Sequence, residues 1–327
     1  MKNKGYILEN PFTLTYVESN LEDPLPEYVQ VKILYCSICG GDYSQYIGRR
    51  DNYPISLGHE FLGIIVKVGK SVSSFNINDK IISDFNYRCL NCKYCMSKMS
   101  HLCEKNDIQL FSNRAFFKYA NIHYSYLYKI QGFDSDYLAT LIEPFSCVIH
   151  ALEKYDFKMI ETIFINGSGS IGMLFSFYLS CILHKKVYVK DINFNRVDKI
   201  IESFNCKKFS DKRNYDLIIE ATNSLAGFKY SLDYCKKNQM ICVMSHLYGE
   251  NTSFIYETIC KKELQVQFPL RNGESKNIFL AEKYLHAFWE KKYNQCLSIH
   301  DFQDIQKIFK DKLLYNSNKQ IIKISND

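Results

Sequence analysis

The chain has 327 residues, of which 46% are apolar and 23% are charged, and its formal net charge is +6 at pH 7. This length exceeds the usual size of one hydrophobic core, and the composition is ordinary for a globular protein, so two folded domains are expected and a disordered chain is excluded. Lys and Arg are spread along the sequence without a run of five or six, so no binding to nucleic acid is expected.

The N-terminus lacks the apolar segment of a secretory signal, and no stretch approaches the 18 or more apolar residues of a membrane span. We therefore expect a cytoplasmic protein without membrane contact. The 13 cysteines would then stay reduced, and metal ligands or buried thiols explain them better than disulfides do.

The first part of the chain is predicted to be rich in β-structure. Residues 28–35 and 60–68 alternate or run apolar as strands do, and strand-like segments return in residues 116–128. Between them, residues 84–103 are polar, contain several cysteines and show no periodicity. We predict a domain over residues 1–150 that includes a cysteine lobe at about residues 85–106.

After residue 150 the pattern changes to short buried strands that alternate with helices. The predicted strands are residues 162–166, 186–190, 216–220 and 239–244, and the first two helices are residues 171–183 and 196–204. This alternation predicts a Rossmann-type, doubly wound parallel sheet over residues 151–275. Helices in residues 278–293 and 302–313 and a strand in residues 319–324 are expected to return to the first domain, as a segment 276–327.

Four cysteines in the lobe have the spacing of a metal site. The pattern C-x2-C-x2-C-x7-C comprises Cys89, Cys92, Cys95 and Cys103. Four thiolates close together in a loop suit tetrahedral zinc, and a site closed by four protein ligands has a structural role. An iron–sulfur cluster is the alternative that such ligands leave open.

A glycine-rich string follows the strand at residues 162–166 and opens the next helix. Gly167, Gly169 and Gly172 match G-x-G-x-x-G, which permits a tight turn, close approach of a pyrophosphate and close helix packing. Ser170 and Ile171 begin the helix, whose free N–H groups favour phosphate. A dinucleotide site is predicted, with a plain strand-to-helix turn as the alternative.

Asp191 ends the next strand, where an acidic side chain would bind a ribose 2′-hydroxyl and repel a 2′-phosphate. NAD is therefore expected in preference to NADP, although the nearby Arg196 leaves NADP open. The alternative role for Asp191 is that of a helix N-cap.

Three further motifs carry a family resemblance: Cys39 in SICGGD, His59 and Glu60 in LGHEFLG, and Glu143 in LIEPF. With the cysteine lobe and the glycine-rich string, the chain resembles the zinc-containing medium-chain dehydrogenases over nearly its whole length. It resembles their sorbitol, polyol and threonine dehydrogenase branch more than their liver alcohol dehydrogenase branch. The resemblance implies a GroES-like catalytic domain beside the Rossmann domain.

The resemblance also implies a catalytic zinc in addition to the structural one. Cys39 and His59 would be ligands, Glu60 would lie on or beside the metal, and Glu143 takes the position where the polyol branch has a glutamate. Asp42 would accept the other ring N–H of His59. Zinc would polarise the oxygen of a small alcohol or carbonyl substrate, and a hydride would pass between carbon and nicotinamide. Homodimers or homotetramers are implied as well.

The chain departs from the family in its proton relay. The family usually has Ser or Thr where this chain has Gly41, and liver-type enzymes have His where it has Ser44. The proton would then leave through Ser44, Tyr43, Tyr46 or water. The departure keeps open a second class of function, a catalytically silent protein that binds zinc and NAD.

Three arginines allow a second substrate class. Arg271, in PLRNG, lies where the polyol branch has an arginine near cofactor and substrate, and Arg49 and Arg50 could bind a phosphate or be solvated surface charges. The strings GRRD, which contains Arg49 and Arg50, and RNG, which begins at Arg271, resemble those of ribitol-5-phosphate (ribulose-5-phosphate) reductases of surface-carbohydrate pathways. Such reductases generally lack the four-cysteine lobe, which favours a polyol or secondary-alcohol dehydrogenase.

Overall fold

The computed structural model describes residues 2–50, 52–84, 88–89, 91–105, 114–211, 215–245, 253–289, 294–311 and 316–326. Residues 85–87, 90 and 106 of the predicted lobe and residues 290–293 and 312–313 of the predicted C-terminal helices lie outside the described residues.

The strands, numbered in chain order, are β1 Lys2–Asn10, β2 Thr13–Asn20, β3 Tyr28–Ser37, β4 Ile55–Ser56, β5 Glu60–Val68, β6 Lys80–Ser83, β7 Tyr119–His123, β8 Leu127–Lys129, β9 Thr162–Asn166, β10 Lys186–Lys190, β11 Lys207–Lys208, β12 Leu217–Glu220, β13 Met240–Val243, β14 Gln265–Gln267, β15 Leu297–Asp301 and β16 Lys319–Lys323. The α-helices are α1 Gly40–Tyr46, α2 Lys93–Met96, α3 Ile142–Leu152, α4 Ser170–Phe177, α5 Phe194–Phe204, α6 Leu225–Asp233, α7 Ser253–Lys262, α8 Ser275–Tyr284 and α9 Ile305–Asp311. Helices α4 and α8 each continue as a π-helical turn, at Tyr178–Ile182 and Leu285–Trp289.

One sheet is parallel throughout and has the strand order β11-β10-β9-β12-β13-β14. The predicted doubly wound sheet is therefore confirmed, and the strands predicted at 162–166 and 186–190 match β9 and β10 residue for residue. The chain order reverses between β9 and β12. In such sheets the ligand crevice lies at that point, beyond the carboxyl ends of the strands.

The second large sheet contains strands from both ends of the chain. Its order is β15-β16-β3-β5-β6-β8, and β7 also pairs with β3. Strand β16 runs antiparallel to β3, which in turn runs antiparallel to β5. The first residue of β16, the last residue of β3 and the first residue of β5 therefore meet at one edge of the sheet. A smaller sheet of order β2-β1-β4 accompanies it.

Helix α3 lies in a core that both large sheets share. One buried apolar cluster joins Leu34 and Leu62 of the second sheet with Ile163 and Ile165 of β9, and α3 contributes buried residues to it. Most of the α3 side chains are buried, including its first acidic residue. A helix that is apolar around most of its circumference is held from several sides, so residues on its first turn have little freedom to move.

None of the helices within the described residues combines the length and the apolar character needed to cross a membrane.

The packing of α4 on β9 predicts that alanine destabilises the protein at one glycine and has no effect at another. A Cβ added to Gly172 would lie 1.8 Å from the Gly167 carbonyl oxygen, whereas one added to Gly169 meets nothing within 4 Å. We expect Gly172→Ala to lower the free energy of unfolding by about 1–3 kcal/mol, because backbone must shift to admit it. Gly169→Ala is the matched control and should leave urea denaturation unchanged. Equal stability of the two variants would contradict the close approach.

Candidate metal and cofactor sites

Three strand ends bring the candidate metal ligands together. Ser37, the last residue of β3, pairs with Glu60, the first residue of β5, and with Ile321 of β16 on its other side. Cys39 follows two residues after β3 as the N-cap of α1. Register in the sheet therefore decides which side chains share this edge.

The N-terminus of α1 fixes Cys39 and Asp42 by a reciprocal cap. The Cys39 sulfur accepts from the Gly41 N–H at 3.3 Å, and Asp42 Oδ2 accepts from the Cys39 N–H at 3.0 Å. Asp42 Oδ1 accepts from the Gly58 N–H at 3.1 Å and lies 3.6 Å from His59 Nδ1. Burial opposes ionisation, but the His59 ring and these backbone N–H groups hold the pKa of Asp42 below its ordinary value. The Asp42 carboxylate and the His59 ring are therefore neighbours, and the role of Asp42 as the acceptor for that ring stays a prediction.

Cys39, His59 and Glu60 form a set of possible metal donors. One ligand atom from each lies within 4.8 Å of the others. A thiolate, an imidazole and a carboxylate are donors that zinc accepts, and three protein ligands leave a coordination position open. The chemistry of these residues therefore fits a catalytic zinc ion.

Glu143 lies near this set of donors but is not one of the residues whose ligand atoms lie within 4.8 Å of one another. Within the described part of the chain, the close group contains Glu60 as its carboxylate, and Glu143 is not in it. Glu143 is buried on the first turn of α3, and the Cys147 thiol lies 3.6 Å from its Oε1. Burial raises the pKa of Glu143 to about 7 against the opposing effect of His59. Its role as a ligand stays a prediction.

A buried lysine that the motifs did not indicate holds Glu60. Lys319 Nζ forms an ion pair with Glu60 Oε2, and the side chains are 0% and 2% exposed. The Ser37 hydroxyl donates to the same oxygen at 2.6 Å, and Lys319 also donates to the Ile38 carbonyl at 3.3 Å. The only sequence signal was a lysine that begins an apolar terminal strand, and lysines in such positions are usually solvated.

The four cysteines of the lobe also come together. Their donor atoms lie within 4.8 Å of one another, with Cys89 and Cys95 sulfurs 3.9 Å apart and Cys92 and Cys103 sulfurs 4.0 Å apart. Tetrahedral zinc with bonds of about 2.3 Å requires sulfurs about 3.8 Å apart. Backbone N–H groups, first that of Cys95, lower the pKa of Cys92 to about 6, which favours the thiolate. The residues fit zinc, and all four thiols are free of disulfides.

Polar contacts tie the lobe to the segment that contains Arg271. Buried Asp84 accepts from Asn272 Nδ2 at 3.1 Å and forms an ion pair with Arg88, whose Nε donates to Ser100 in the lobe. The Arg271 guanidinium donates to the His101 carbonyl at 3.5 Å. Arg271 therefore lies against the lobe, and burial lowers the pKa of its guanidinium.

The glycine-rich loop lies between β9 and α4 and has the features of a phosphate cradle. Gly167 has φ +105°, and a Cβ there would lie 2.6 Å from the Ala221 carbonyl, so only glycine fits. The space beside Gly169 is open. Among the described residues, the buried hydroxyls of Ser168 and Ser170 have no hydrogen-bond partner. Donors of this kind at a helix N-terminus fit the phosphates of a dinucleotide.

Asp191 lies at the end of β10 against this loop. Its Oδ2 accepts from the Ser168 N–H at 2.6 Å, and its Oδ1 accepts from the Asn193 N–H at 2.9 Å. The N-cap of α5 is Asn193, so the alternative reading of Asp191 as the helix cap is wrong. Burial lowers the pKa of Arg196 against the attraction of Asp191. The carboxylate and this guanidinium are therefore neighbours.

The segment that contains the predicted proton-relay position Ser44 contacts the turn after β12 of the parallel sheet. Ser44 is buried, and its hydroxyl accepts from Asn223 Nδ2 at 3.1 Å. Arg49 donates to the Asn223 carbonyl at 3.2 Å, while Arg50 is exposed. Arg49 is therefore half-buried, and its guanidinium contacts the turn after β12 of the parallel sheet. A Cβ at Gly41 would meet only the Cys39 sulfur, at 3.7 Å.

The candidate metal donors lie at strand ends of a β-rich sheet, and the segment that follows them contacts the turn after β12 of a Rossmann-type parallel sheet. Residues 25–132 match the family described as alcohol dehydrogenase GroES-like domain. Similar curated proteins include zinc-type alcohol dehydrogenase-like, sorbitol and threonine dehydrogenases, so the predicted resemblance to the zinc-containing medium-chain dehydrogenases is confirmed.

Individual relatives resemble the chain over most of its length. An uncharacterized zinc-type alcohol dehydrogenase-like protein of Escherichia coli strain K12 is 24% identical, with 99% of this chain and 98% of that protein covered. A sorbitol dehydrogenase of Halalkalibacterium halodurans is 25% identical, with 84% and 91% covered. The crystal structure of an alcohol dehydrogenase from Escherichia coli CFT073, complexed with NADH, has a TM-score of 0.81 at 23% identity, with 98% and 99% covered.

The sulfur geometry of the lobe predicts a loss of metal on substitution. We expect Cys95→Ser to remove the lobe zinc and to lower the melting temperature by several degrees, because metal binding contributes folding free energy. Zinc per chain by atomic emission and calorimetric unfolding provide the measurements. The control is Cys260→Ser, which alters an exposed thiol on α7. Unchanged zinc content in Cys95→Ser would contradict a four-cysteine site.

Proposed function

We propose that this protein is a zinc-dependent dehydrogenase that transfers a hydride between NAD(H) and a polyol or secondary alcohol, or the corresponding ketone. The observation that carries the proposal is the donor set of Cys39, His59 and Glu60 within 4.8 Å. When bound, zinc supplies a Lewis acid for the substrate oxygen, and the nicotinamide supplies the hydride acceptor or donor.

The surrounding residues would hold this set in place. Asp42 accepts backbone N–H groups on both of its oxygens, and it would orient the His59 ring, whose Nδ1 lies 3.6 Å from Oδ1. Ser37 and Lys319 engage Oε2 of Glu60, which leaves Oε1 as the oxygen that can face a metal. Lys319 also balances the charge of a carboxylate that is buried, because an unpaired charge there would be costly.

Two carboxylates are therefore proposed to serve the catalytic zinc. Glu60 is the one that the close donor set supports. Glu143 lies near enough to feel the charges of His59 and Glu60, and it is held on a buried helix. We propose Cys39, His59 and Glu60 as ligands, with Glu143 as the neighbouring carboxylate that a substrate or water would meet.

The cofactor proposal rests on the carboxyl edge of the parallel sheet. Ser168, Gly169, Ser170 and the start of α4 would hold the pyrophosphate. The Asp191 carboxylate, held by the Ser168 N–H, would bind ribose hydroxyls and repel a 2′-phosphate, so NAD is proposed in preference to NADP. Arg196 is proposed as a cofactor-side residue because it neighbours Asp191. Arg271 is proposed as one on the family resemblance, and its guanidinium also donates to the His101 carbonyl of the lobe.

The decisive test combines metal counting with a substrate panel. Purified protein should contain two zinc ions per chain and should oxidise sorbitol, xylitol or threonine faster with NAD than with NADP. Cys39→Ala should lose one zinc and all turnover while it keeps NADH binding, measured by fluorescence. One zinc per chain and no turnover would support the silent alternative. Turnover restricted to ribulose 5-phosphate and lost in Arg49→Ala would support the sugar-phosphate reductase.

The open space at Gly41 predicts a gain of rate. Gly41→Ser adds a hydroxyl beside the Cys39 sulfur without a steric conflict, since a Cβ there makes only an ordinary contact. If proton removal limits the reaction, kcat should rise by about tenfold or more, a modest share of what positioned proton transfer contributes. Gly41→Ala is the matched control for the backbone change. Equal kcat for Gly41→Ser and Gly41→Ala would show that the proton leaves by another path.

A further inference from the structure

Asn223 occupies a special position at the carboxyl edge of the parallel sheet. It follows β12 by three residues and has φ +56°, a left-handed conformation that asparagine tolerates better than most residues. The turn that contains it abuts the glycine-rich loop, because the Ala221 carbonyl is the group that a Cβ on Gly167 would strike. Strand β12 is also the neighbour of β9 at which the strand order reverses.

Hydrogen bonds hold Asn223 from both domains. On the sheet side, its backbone N–H donates to the Ser245 hydroxyl at 2.7 Å. On the other side, its Nδ2 donates to Ser44 Oγ at 3.1 Å, and its carbonyl accepts from Arg49 Nη1 at 3.2 Å. Ser44 belongs to α1, whose N-cap is the candidate ligand Cys39, and Arg49 lies in the segment that follows α1.

These contacts span the crevice that a dinucleotide has to enter. In doubly wound sheets the cofactor lies across the switch point, here between β9 and β12. We propose that the hydrogen bonds of Asn223 hold the Rossmann-type domain against the β-rich domain over this crevice. This interdomain contact positions Ser44 and slows the exchange of cofactor. The inference rests on the cofactor part of the proposed function.

The size of the effect follows from the number of bonds. The side chain contributes one neutral hydrogen bond, and a bond of this kind makes a modest net contribution to stability. Loss of the Asn223 side chain should therefore speed NADH release by about threefold to tenfold, without preventing folding. The substitution is mild because the residue is only half-buried.

The test measures the rate of NADH release by stopped-flow displacement with excess NAD. Asn223→Gly keeps the left-handed backbone accessible and removes only the side chain. The matched control is Asn205→Gly, because Asn205 is an exposed residue of the same type with φ +55° at the end of α5. Release should be faster in Asn223→Gly and unchanged in Asn205→Gly, and Asn223→Asp should restore slow release because Ser44 can donate to it.

A double-mutant cycle separates the effect of the Asn223–Ser44 hydrogen bond from a general loss of stability. Ser44→Ala should accelerate release as much as Asn223→Gly, and the double variant should release NADH no faster than either single variant. Independent, multiplying effects would overturn the proposal, and so would an unchanged release rate in Asn223→Gly. If the wild-type chain binds no NADH at all, the cofactor proposal itself fails, which is a different result.

Discussion

The buried ion pair between Glu60 and Lys319 is the constraint on which the site depends. Two charges that are 2% and 0% exposed cannot be separated without leaving one of them unpaired inside the protein, at a high cost. The pair requires β16, from the end of the chain, to lie beside β3 and within reach of β5. The same pairing brings Ser37, Cys39 and Glu60 together at one end of these strands, so the candidate metal donors assemble only when the sheet closes.

The two domains then meet through elements that serve both. Helix α3 is buried in a core that joins the two sheets, and it presents Glu143 from its first turn. Asn318, which precedes Lys319, donates to the carbonyls of Ser168 in the glycine-rich loop and of Arg196 in α5. Two successive side chains at the start of β16 therefore reach different sites: Asn318 contacts the glycine-rich loop, and Lys319 contacts the candidate ligand Glu60.

The sequence predicted a feature well wherever all of its residues lie in one short segment. The strands β5, β9 and β10 begin and end where periodicity predicts, because a short apolar run bounded by polar residues or glycine has few other stable conformations. The four cysteines lie close in sequence, and the structure brings their sulfurs together. Residues whose contacts join distant parts of the chain gave no such signal. Lys319 and Asn223 belong to no motif, and their contacts lie far away in sequence.

By itself the sequence determined the parallel sheet, the family resemblance and the residue types able to bind metal and dinucleotide, because periodicity, glycine conformations and ligand chemistry are local properties. Only the tertiary structure decided that an oxygen of Glu60 lies with the donor atoms of Cys39 and His59, that Lys319 pairs with Glu60, and that Asn223 contacts Ser44. Those outcomes depend on strand register and on the approach of distant segments, and a shift of one residue in register would turn each side chain to the opposite face.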